Sequence, residues 1–158
     1  MELVQNLKAK VKPLGKKIVL PEYKDARVLE ATELILKEGF ATPVLVGNPE
    51  EVKALAQKEG FNVDGAEIIN PETYDRLPEM IDVFVEKRAK KGMTPEKAKA
   101  TMLGDCLFFG AMLVHLGVVD GMVAGSASPT ANVLRAALQV VGCLLYTSPS
   151  PRDRSLSR

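Results

Sequence analysis

The sequence predicts an α/β protein: a three-layer α-β-α arrangement in which a mainly parallel sheet is covered by helices on both faces. Two observations predict this fold. Short apolar runs, typical of strands that are buried on both faces, alternate with longer segments of helical periodicity. The composition, 46% hydrophobic and 26% charged over 158 residues, is that of a globular chain with a sizeable core. We expect right-handed crossovers between the parallel strands.

Four apolar runs predict the strands. Each run is rich in Val, Ile or Leu and ends at or just before a Gly, Pro or Asn. The predicted strands cover residues 17–21, 42–47, 66–70 and 118–124. Because sheets of this type bind ligands at the carboxyl ends of their strands, the loop that begins at Gly125 lies at the expected place for a site.

Helix start and stop signals fill the intervals between the strands. Asp25, Asn48 and Thr94 each precede a helical pattern as N-cap residues, and Gly39 and Gly60 end two of the patterns. One of the helices is apolar nearly all round, which predicts burial on every side. The predicted helices cover residues 2–11, 26–38, 49–58, 74–91, a segment beginning at 95, the apolar segment 105–116, and a segment from 129 to about 142.

The segment from the fourth strand into the last helix predicts an anion site. Small residues (Gly125, Ser126, Ala127) follow the strand, and Ser128-Pro129 are predicted as the N-cap and first residue of the helix. Free N–H groups and the helix dipole both favour negative charge at such a position. Arg135 lies further along the same helix, so the segment indicates phosphate chemistry.

A helical projection of this last helix separates an apolar face from a polar one. The predicted buried face consists of Ala131, Leu134, Leu138 and Val141, and the polar stripe of Ser128, Asn132, Arg135 and Gln139. From the pattern alone, Arg135 is better explained as part of a solvated polar stripe than as a residue that binds a ligand.

Charge and composition exclude several classes of function. A net charge of +1 indicates no nucleic-acid or membrane partner, and no apolar run reaches the roughly 20 residues of a membrane span. Cys106 and Cys143 have no CxxC partner, which argues against a disulfide framework and a metal site. We therefore expect a cytoplasmic protein. His115 and Cys106 are interpreted as structural residues of an apolar helix.

Residues 143–158 (CLLYTSPSPRDRSLSR) differ from the sequence before them. Helical periodicity ends at Gly142, and the segment mixes Pro, Ser and Arg in a composition that buries little apolar surface. It resembles spurious endings of truncated reading frames. We expect a domain over residues 1–142 and a disordered, non-native tail after it.

Three ordered motifs resemble the phosphate acetyltransferase (phosphotransacetylase) family. IVLPEYKDARVLEATELILKEGFATPVLVG (18–47) is similar to its opening: a strand, LPEG, an acidic-Arg pair, a helix and a strand ending in Gly. EKRAKKGMT (86–94) resembles its R-K-x-K-G-x-T segment. DCLFFGAMLVHLGVVDGMVAGSASPTANVLRAALQ (105–139) resembles its FGAMLV, GxADGMVSG and STADTxRPALQ block. The resemblance covers residues 1–142 and implies a fold like that of isocitrate and isopropylmalate dehydrogenases.

The resemblance implies an acyltransferase that interconverts acetyl-CoA plus phosphate with CoA plus acetyl phosphate. CoA is then a substrate, no cofactor is bound, and the full-length enzyme is a homodimer. Arg135 and Arg88 match two family arginines of the active-site cleft, the first assigned to phosphate or acetyl phosphate. The loop that contains Gly125, Ser126, Ser128 and Thr130 would line the substrate pocket. Without the resemblance, Arg88 would be interpreted as one of several cations at a helix C-terminus.

Two departures from the family pattern matter. Residues 128–133 (SPTANV) replace the family's His-Ser-Thr-Ala-Asp-Thr, which leaves the acyl preference open, and Tyr23 replaces the Gly of LPEG. Family members are about twice as long as this chain, as pairs of domains. The remainder of the family sequence carries the acidic residue proposed to activate the CoA thiol. We therefore expect a partial N-terminal domain with little or no turnover of its own.

Three alternatives stay open from the sequence. Phosphate butyryltransferase is one, because the altered loop at 128–133 could accept a longer acyl chain. A non-catalytic, acyl-CoA-responsive domain, as in malic enzyme fusions, is the second, although the domain begins directly after Met1. The third, a dehydrogenase of the isocitrate type, is disfavoured because the Gly125 loop has no acidic metal ligands.

Overall fold

The computed structural model describes residues 1–142, which form a four-stranded parallel sheet between two layers of helices. The predicted tail at 143–158 lies outside these residues. The strands are β1 (Lys17–Leu20), β2 (Thr42–Val46), β3 (Glu67–Ile69) and β4 (Gly121–Met122). The helices are α1 (Glu2–Val11), α2 (Ala26–Glu38), α3 (Pro49–Glu59), α4 (Leu77–Arg88), α5 (Pro95–Gly104), α6 (Cys106–His115) and α7 (Thr130–Ala136). Two 3-10 turns (Lys12–Leu14, Ala89–Lys91) and a π-helical segment (Ala137–Val141) extend three of the helices.

The order of the strands indicates where a crevice forms at the edge of the sheet. The order is β3-β2-β1-β4, with every neighbouring pair parallel. The chain runs outward from β1 through β2 to β3 and then returns to the other side of β1. The carboxyl ends of β1 and β4 are therefore the point where the winding reverses, which is where open α/β sheets bind ligands. The predicted fold class is confirmed.

Two apolar cores flank the sheet, because successive strand residues point to opposite faces. Val19 and Val44 face the larger core with α4, α5, α6 and the π-helical segment, whereas Leu20 and Leu45 face the smaller core with α2 and α3. α6 lies in the larger core with every residue from Leu107 to Leu113 buried. The predicted burial of this apolar helix is confirmed.

Side-chain caps begin the helices where the sequence predicts them. Asp25 accepts a hydrogen bond from the N–H of Arg27 (2.9 Å) at the start of α2, and Asn48 caps α3 in the same way (2.9 Å). Thr94 caps α5 through the N–H of Lys97 (3.3 Å). Each cap satisfies an N–H group that has no partner within its helix.

Two predicted elements are shorter than expected. The strand at 118–124 is reduced to Gly121–Met122, because the N–H groups of Val118 and Val119 bond to the Leu113 carbonyl at the end of α6. The helix predicted over 74–91 begins at Leu77 and gives way to a 3-10 turn after Arg88. Pro78 in its first turn suits this later start, since that position needs no N–H.

The buried face of the last helix, which consists of α7 and the π-helical segment after it, is the opposite of the predicted one. Leu134 and Leu138 are 54% and 46% exposed, whereas Ala136 and Val140 are fully buried in the larger core. The sequence contains two apolar stripes at helical spacing, and Val133, Ala136 and Val140 form the second one. Packing against α6 selects the stripe of smaller residues.

No helix within residues 1–142 combines the length and the hydropathy needed to cross a membrane.

Candidate functional site

A cleft of about 380 Å³ opens at the carboxyl end of the sheet. All four strand ends and the junction between α5 and α6 contribute to it, as the strand order predicts. The lining residues are Pro21–Lys24 after β1, Val46–Asn48 and Glu51 after β2, Asn70–Glu72 after β3, Met102–Gly104 and Cys106 at the helix junction, and Ala127 and Ser128 after β4.

Glu22 connects the ends of β1 and β4. Its Oε2 accepts hydrogen bonds from the N–H groups of Gly125 (2.7 Å) and Ser126 (3.0 Å) and from the Ser126 hydroxyl (3.1 Å). Its Oε1 accepts one from the N–H of Ala127 (3.3 Å). Three successive backbone N–H groups that converge on one anion form a nest. In this structure the oxyanion in the nest of the loop after β4 is the protein's own carboxylate.

Burial and hydrogen bonding shift the pKa of Glu22 in opposite directions. The side chain is buried, with 6% relative exposure, and burial by itself raises the pKa of a carboxyl. The nearby Ser128 and the hydrogen bonds from Gly125 and Ser126 together outweigh burial, so the pKa of Glu22 lies below its ordinary value. Glu22 is thus a charged acceptor of hydrogen bonds from the protein itself and a poor general base at neutral pH.

Asp25 and Arg27 form a second set of contacts at the loop after β4. The Arg27 guanidinium donates to the Ser126 carbonyl (2.6 Å) and to both carboxylate oxygens of Asp25 (3.1 and 2.7 Å). Hydrogen bonding from Arg27 lowers the pKa of Asp25 to about 2. The sequence predicts Asp25 as an N-cap, and the contact of Arg27 with Ser126 adds a tertiary role to this pair.

The floor of the cleft does not favour an anionic ligand. Glu51 and Glu72 line it together with Glu22, whereas Lys24 is the cation among the lining residues. The Tyr23 hydroxyl donates to Glu51 (3.2 Å), and burial together with this contact raises the pKa of Tyr23. A phosphate group among these carboxylates would be repelled.

Cys106 lies in the cleft as a thiol. Burial, with smaller contributions from Asp105 and Glu22, raises its pKa above the ordinary value. A thiol that is harder to ionise is a weak nucleophile, which agrees with the structural role predicted for this residue. Within residues 1–142, no group of three or more His, Cys, Asp or Glu side chains could hold a metal ion.

The residues predicted for the site fall into three places. Gly125, Ser126 and Ser128 lie at the switch point, in or beside the nest that Glu22 fills. Thr130 and Arg135 are exposed on α7, away from the lining of the cleft. Arg88 lies in the third place, at the end of α4.

Two details of the α7 start differ from the prediction. Pro129, not Ser128, is the N-cap residue, and no side chain caps the helix. The physical reason is that the backbone of Pro129 is extended (φ −59°, ψ 146°), so this residue stands outside the helix. The helix begins one residue later than predicted, at Thr130.

Arg88 is the last residue of α4, and its Nε is buried. Among the residues that the structure describes, this N–H has no hydrogen-bond partner. A buried donor without an acceptor costs free energy, so such groups commonly mark a position for an ordered water or ligand oxygen.

Sequence reasoning missed Glu22 as a member of the site. The available signal was its position, directly after the first strand and hence at the carboxyl edge of the sheet. What the sequence did not reveal is that β4 lies beside β1, about 100 residues apart along the chain.

Comparison with known proteins shows which family the chain belongs to. The sequence profile described as phosphate acetyl/butaryl transferase matches residues 2–146. The chain belongs to this family. A phosphate acetyltransferase from Thermoanaerobacterium thermosaccharolyticum is 43% identical over 141 residues, and one from Staphylococcus aureus is 39% identical over 140.

Solved structures agree with the family. A phosphotransacetylase from Streptococcus pyogenes superimposes with a TM-score of 0.81 at 40% identity, over 89% of this chain. A phosphotransacetylase from Staphylococcus aureus gives a TM-score of 0.78 at 39% identity, over 88% of this chain. In each comparison this member of the phosphate acetyl/butaryl transferase family spans 42% of the other protein's length.

Proposed function

We propose that this chain forms the phosphate-binding part of an acyltransferase that interconverts acetyl-CoA plus phosphate with CoA plus acetyl phosphate. The observation that carries the proposal is the family match over residues 2–146, with relatives named phosphate acetyltransferase at 43% and 39% identity. The strand order supports it, because a ligand site is expected at the switch point between β1 and β4. CoA acts as a substrate, and no bound cofactor is needed.

The reaction is a direct acyl transfer. The CoA thiolate attacks the carbonyl carbon of acetyl phosphate, the new C–S bond forms, and the bond to the phosphate oxygen breaks as phosphate leaves. A protein that catalyses this step must ionise the thiol, hold the phosphoryl oxygens and stabilise the oxyanion of the tetrahedral intermediate. The residues of this chain suit the second task.

Two guanidinium groups are the proposed phosphate ligands. Arg135 is exposed and forms no ion pair within residues 1–142, so its charge is available to a ligand. Arg88 has a buried N–H that lacks an acceptor within the same residues. A planar guanidinium binds two phosphate oxygens at once, in a way that a lysine does not.

The loop after β4 supplies hydroxyl groups rather than backbone donors to the phosphate. Its N–H groups at residues 125–127 are already bonded to Glu22, so they have little capacity for a substrate oxyanion. Ser128 and Thr130 follow the nest directly and are the proposed side-chain ligands, with Gly125 and Ser126 shaping the loop. The carboxylates of Glu51 and Glu72 disfavour phosphate inside the cleft, so we place the phosphate beside α7, outside the cleft lining.

The test is an acetyl phosphate and CoA assay in two forms of the protein. We expect no measurable turnover from the 158-residue chain alone. Joining residues 1–142 to the remaining sequence of the Thermoanaerobacterium relative should restore turnover. In this fusion, Arg135→Gln should raise the KM for acetyl phosphate by at least about tenfold, and Arg135→Lys should recover only part of it.

The control for this assay is Lys53→Gln, which removes an exposed cation from α3 on the other side of the sheet. It should leave the KM for acetyl phosphate unchanged. Robust turnover by the chain alone, or an unchanged KM in a folded Arg135→Gln fusion, would contradict the proposed division of roles. Comparing acetyl with butyryl phosphate in the same fusion would assign the acyl preference.

A further inference from the structure

The carboxylate of Glu22 occupies the position that an oxyanion ligand would take. It makes four hydrogen bonds to the loop of residues 125–127, three from backbone N–H groups and one from the Ser126 hydroxyl. No other side chain within residues 1–142 is bonded to so many groups of one remote loop. The contact also joins positions more than 100 residues apart, across the strand order β1-β4.

We propose that Glu22 is a positioning residue: its carboxylate is a built-in anion that fills the N–H nest of residues 125–127 and thereby fixes the loop from which Ser128 and Thr130 reach the phosphoryl group. The inference rests on the proposed function for its last step only. The nest itself and its occupation by Glu22 are independent of the reaction.

Physical chemistry explains why a carboxylate suits this position. The loop after β4 contains consecutive small residues, and three adjacent N–H groups that point the same way need an acceptor if they are to be held together. A charged acceptor forms hydrogen bonds roughly twice as strong as a neutral one. Glu22 can reach the nest because it lies two residues after the end of β1, and a buried side chain loses no further freedom when substrate binds.

The arrangement also affects specificity for the anion. A free nest would compete with the side chains for phosphate and would draw it toward Glu51 and Glu72. With Glu22 in place, an incoming phosphate is repelled from the nest and directed to the hydroxyl and guanidinium groups on the α7 side. Loss of Glu22 should therefore allow phosphate to bind at the nest and should also make the loop of residues 125–127 more mobile.

The experiment uses amide hydrogen exchange and amide NMR shifts on the full 158-residue chain. In Glu22→Ala, the amides of Gly125, Ser126 and Ala127 should exchange at least about tenfold faster than in the original chain, because hydrogen bonds to a charged group are lost. Adding acetate, which replaces the atoms that the substitution removes, should restore the slow exchange. Acetamide, or chloride at equal ionic strength, should not.

A second variant and a control keep the interpretation clear. Glu22→Gln retains the shape and one carbonyl oxygen but loses the charge and places an NH2 group where the other oxygen was, so exchange should speed most at Ala127, whose N–H meets Oε1 in the original chain, and acetate should not restore it. Glu51→Gln changes a carboxylate that lines the same cleft but does not touch the loop, and it should leave the three amides unchanged.

Inorganic phosphate is the probe for the anion position. In the original chain it should shift the amides of Ser128, Thr130 and Arg135, and in Glu22→Ala it should also shift the nest amides. Unchanged exchange at residues 125–127 in both Glu22 variants, or no acetate rescue in a folded Glu22→Ala chain, would overturn the role of Glu22. Absence of phosphate shifts at Ser128, Thr130 and Arg135 would contradict the proposed function while leaving the Glu22 result to stand.

Discussion

A single pair of side chains, Asp25 and Arg27, shows how one residue can serve local and tertiary structure together. Asp25 caps α2 through the Arg27 N–H and also binds the Arg27 guanidinium, which in turn donates to the Ser126 carbonyl. Because the ion pair is mostly exposed on the arginine side, its direct contribution to stability is small. Its effect is to fix the direction in which the guanidinium meets the loop.

The lowered pKa of Asp25 predicts an acid-sensitive contribution to stability. Its folded pKa of about 2 lies below the unfolded value of 3.8, so the stabilisation is present above pH 3.8 and is lost as the pH falls from 3.8 through about 2. Glu22, whose pKa is also lowered from 4.5, acts in the same direction. Asp25→Asn retains an N-cap oxygen and removes the charge, so it should reduce the pH dependence of the unfolding free energy in this range.

Urea unfolding followed by circular dichroism between pH 2 and pH 6 measures this effect. The matched control is Asp82→Asn on the exposed side of α4, which should retain the slope of the original chain. A slope in Asp25→Asn identical to that of the original chain would show that the Arg27 contact does not perturb Asp25.

At the scale of elements, α7 shows that helical periodicity defines candidate faces without choosing between them. Two apolar stripes run along this segment, and the stripe with the smaller residues Ala136 and Val140 is the buried one. Small residues allow a close approach to α6, which is itself packed with aromatic and aliphatic side chains. The two leucines are left at the surface.

Substitutions on the two stripes should therefore change the unfolding free energy in the opposite order to the one that the predicted face implies. Leu134→Gln with Leu138→Gln should change the unfolding free energy of the chain by less than about 0.5 kcal/mol per residue, as surface substitutions do. Val140→Ala, on the buried stripe, should cost about 1–2 kcal/mol because it leaves a cavity in the larger core. Chemical denaturation of both variants compares them directly, and a larger loss from the leucine pair would reverse the assignment of faces.

At the scale of the whole molecule, the sheet couples two cores that share no side chains. Val19 and Leu20 are neighbours in β1 and belong to different cores. Strand β1 therefore cannot leave its place without disrupting both sides of the sheet. The larger core includes Phe109, which is fully buried and meets the Tyr74 ring edge-on at 5.6 Å.

This coupling predicts one unfolding transition for both cores. Phe109→Ala in the larger core should lower the unfolding free energy by about 3–5 kcal/mol, and Val52→Ala in the smaller core by about 2 kcal/mol, each shifting the same single transition. Far-ultraviolet circular dichroism and tyrosine fluorescence should report coincident midpoints. Leu34→Ala, at a side chain that is 47% exposed, is the control and should shift the midpoint little. Separate transitions in Val52→Ala would show that the cores unfold independently.

Local sequence signals were sufficient to predict the alternation of strands and helices, most of their boundaries, and the caps of α2, α3 and α5. These features depend on contacts within a few residues or on a repeating pattern, so they are readable from neighbours along the chain. Long-range packing instead sets the pairing of β4 with β1, the occupation of the nest by Glu22, and the choice of the buried stripe in the last helix. Each of these depends on groups far apart in sequence that meet only when the chain folds, and local periodicity carries no information about which distant groups will meet.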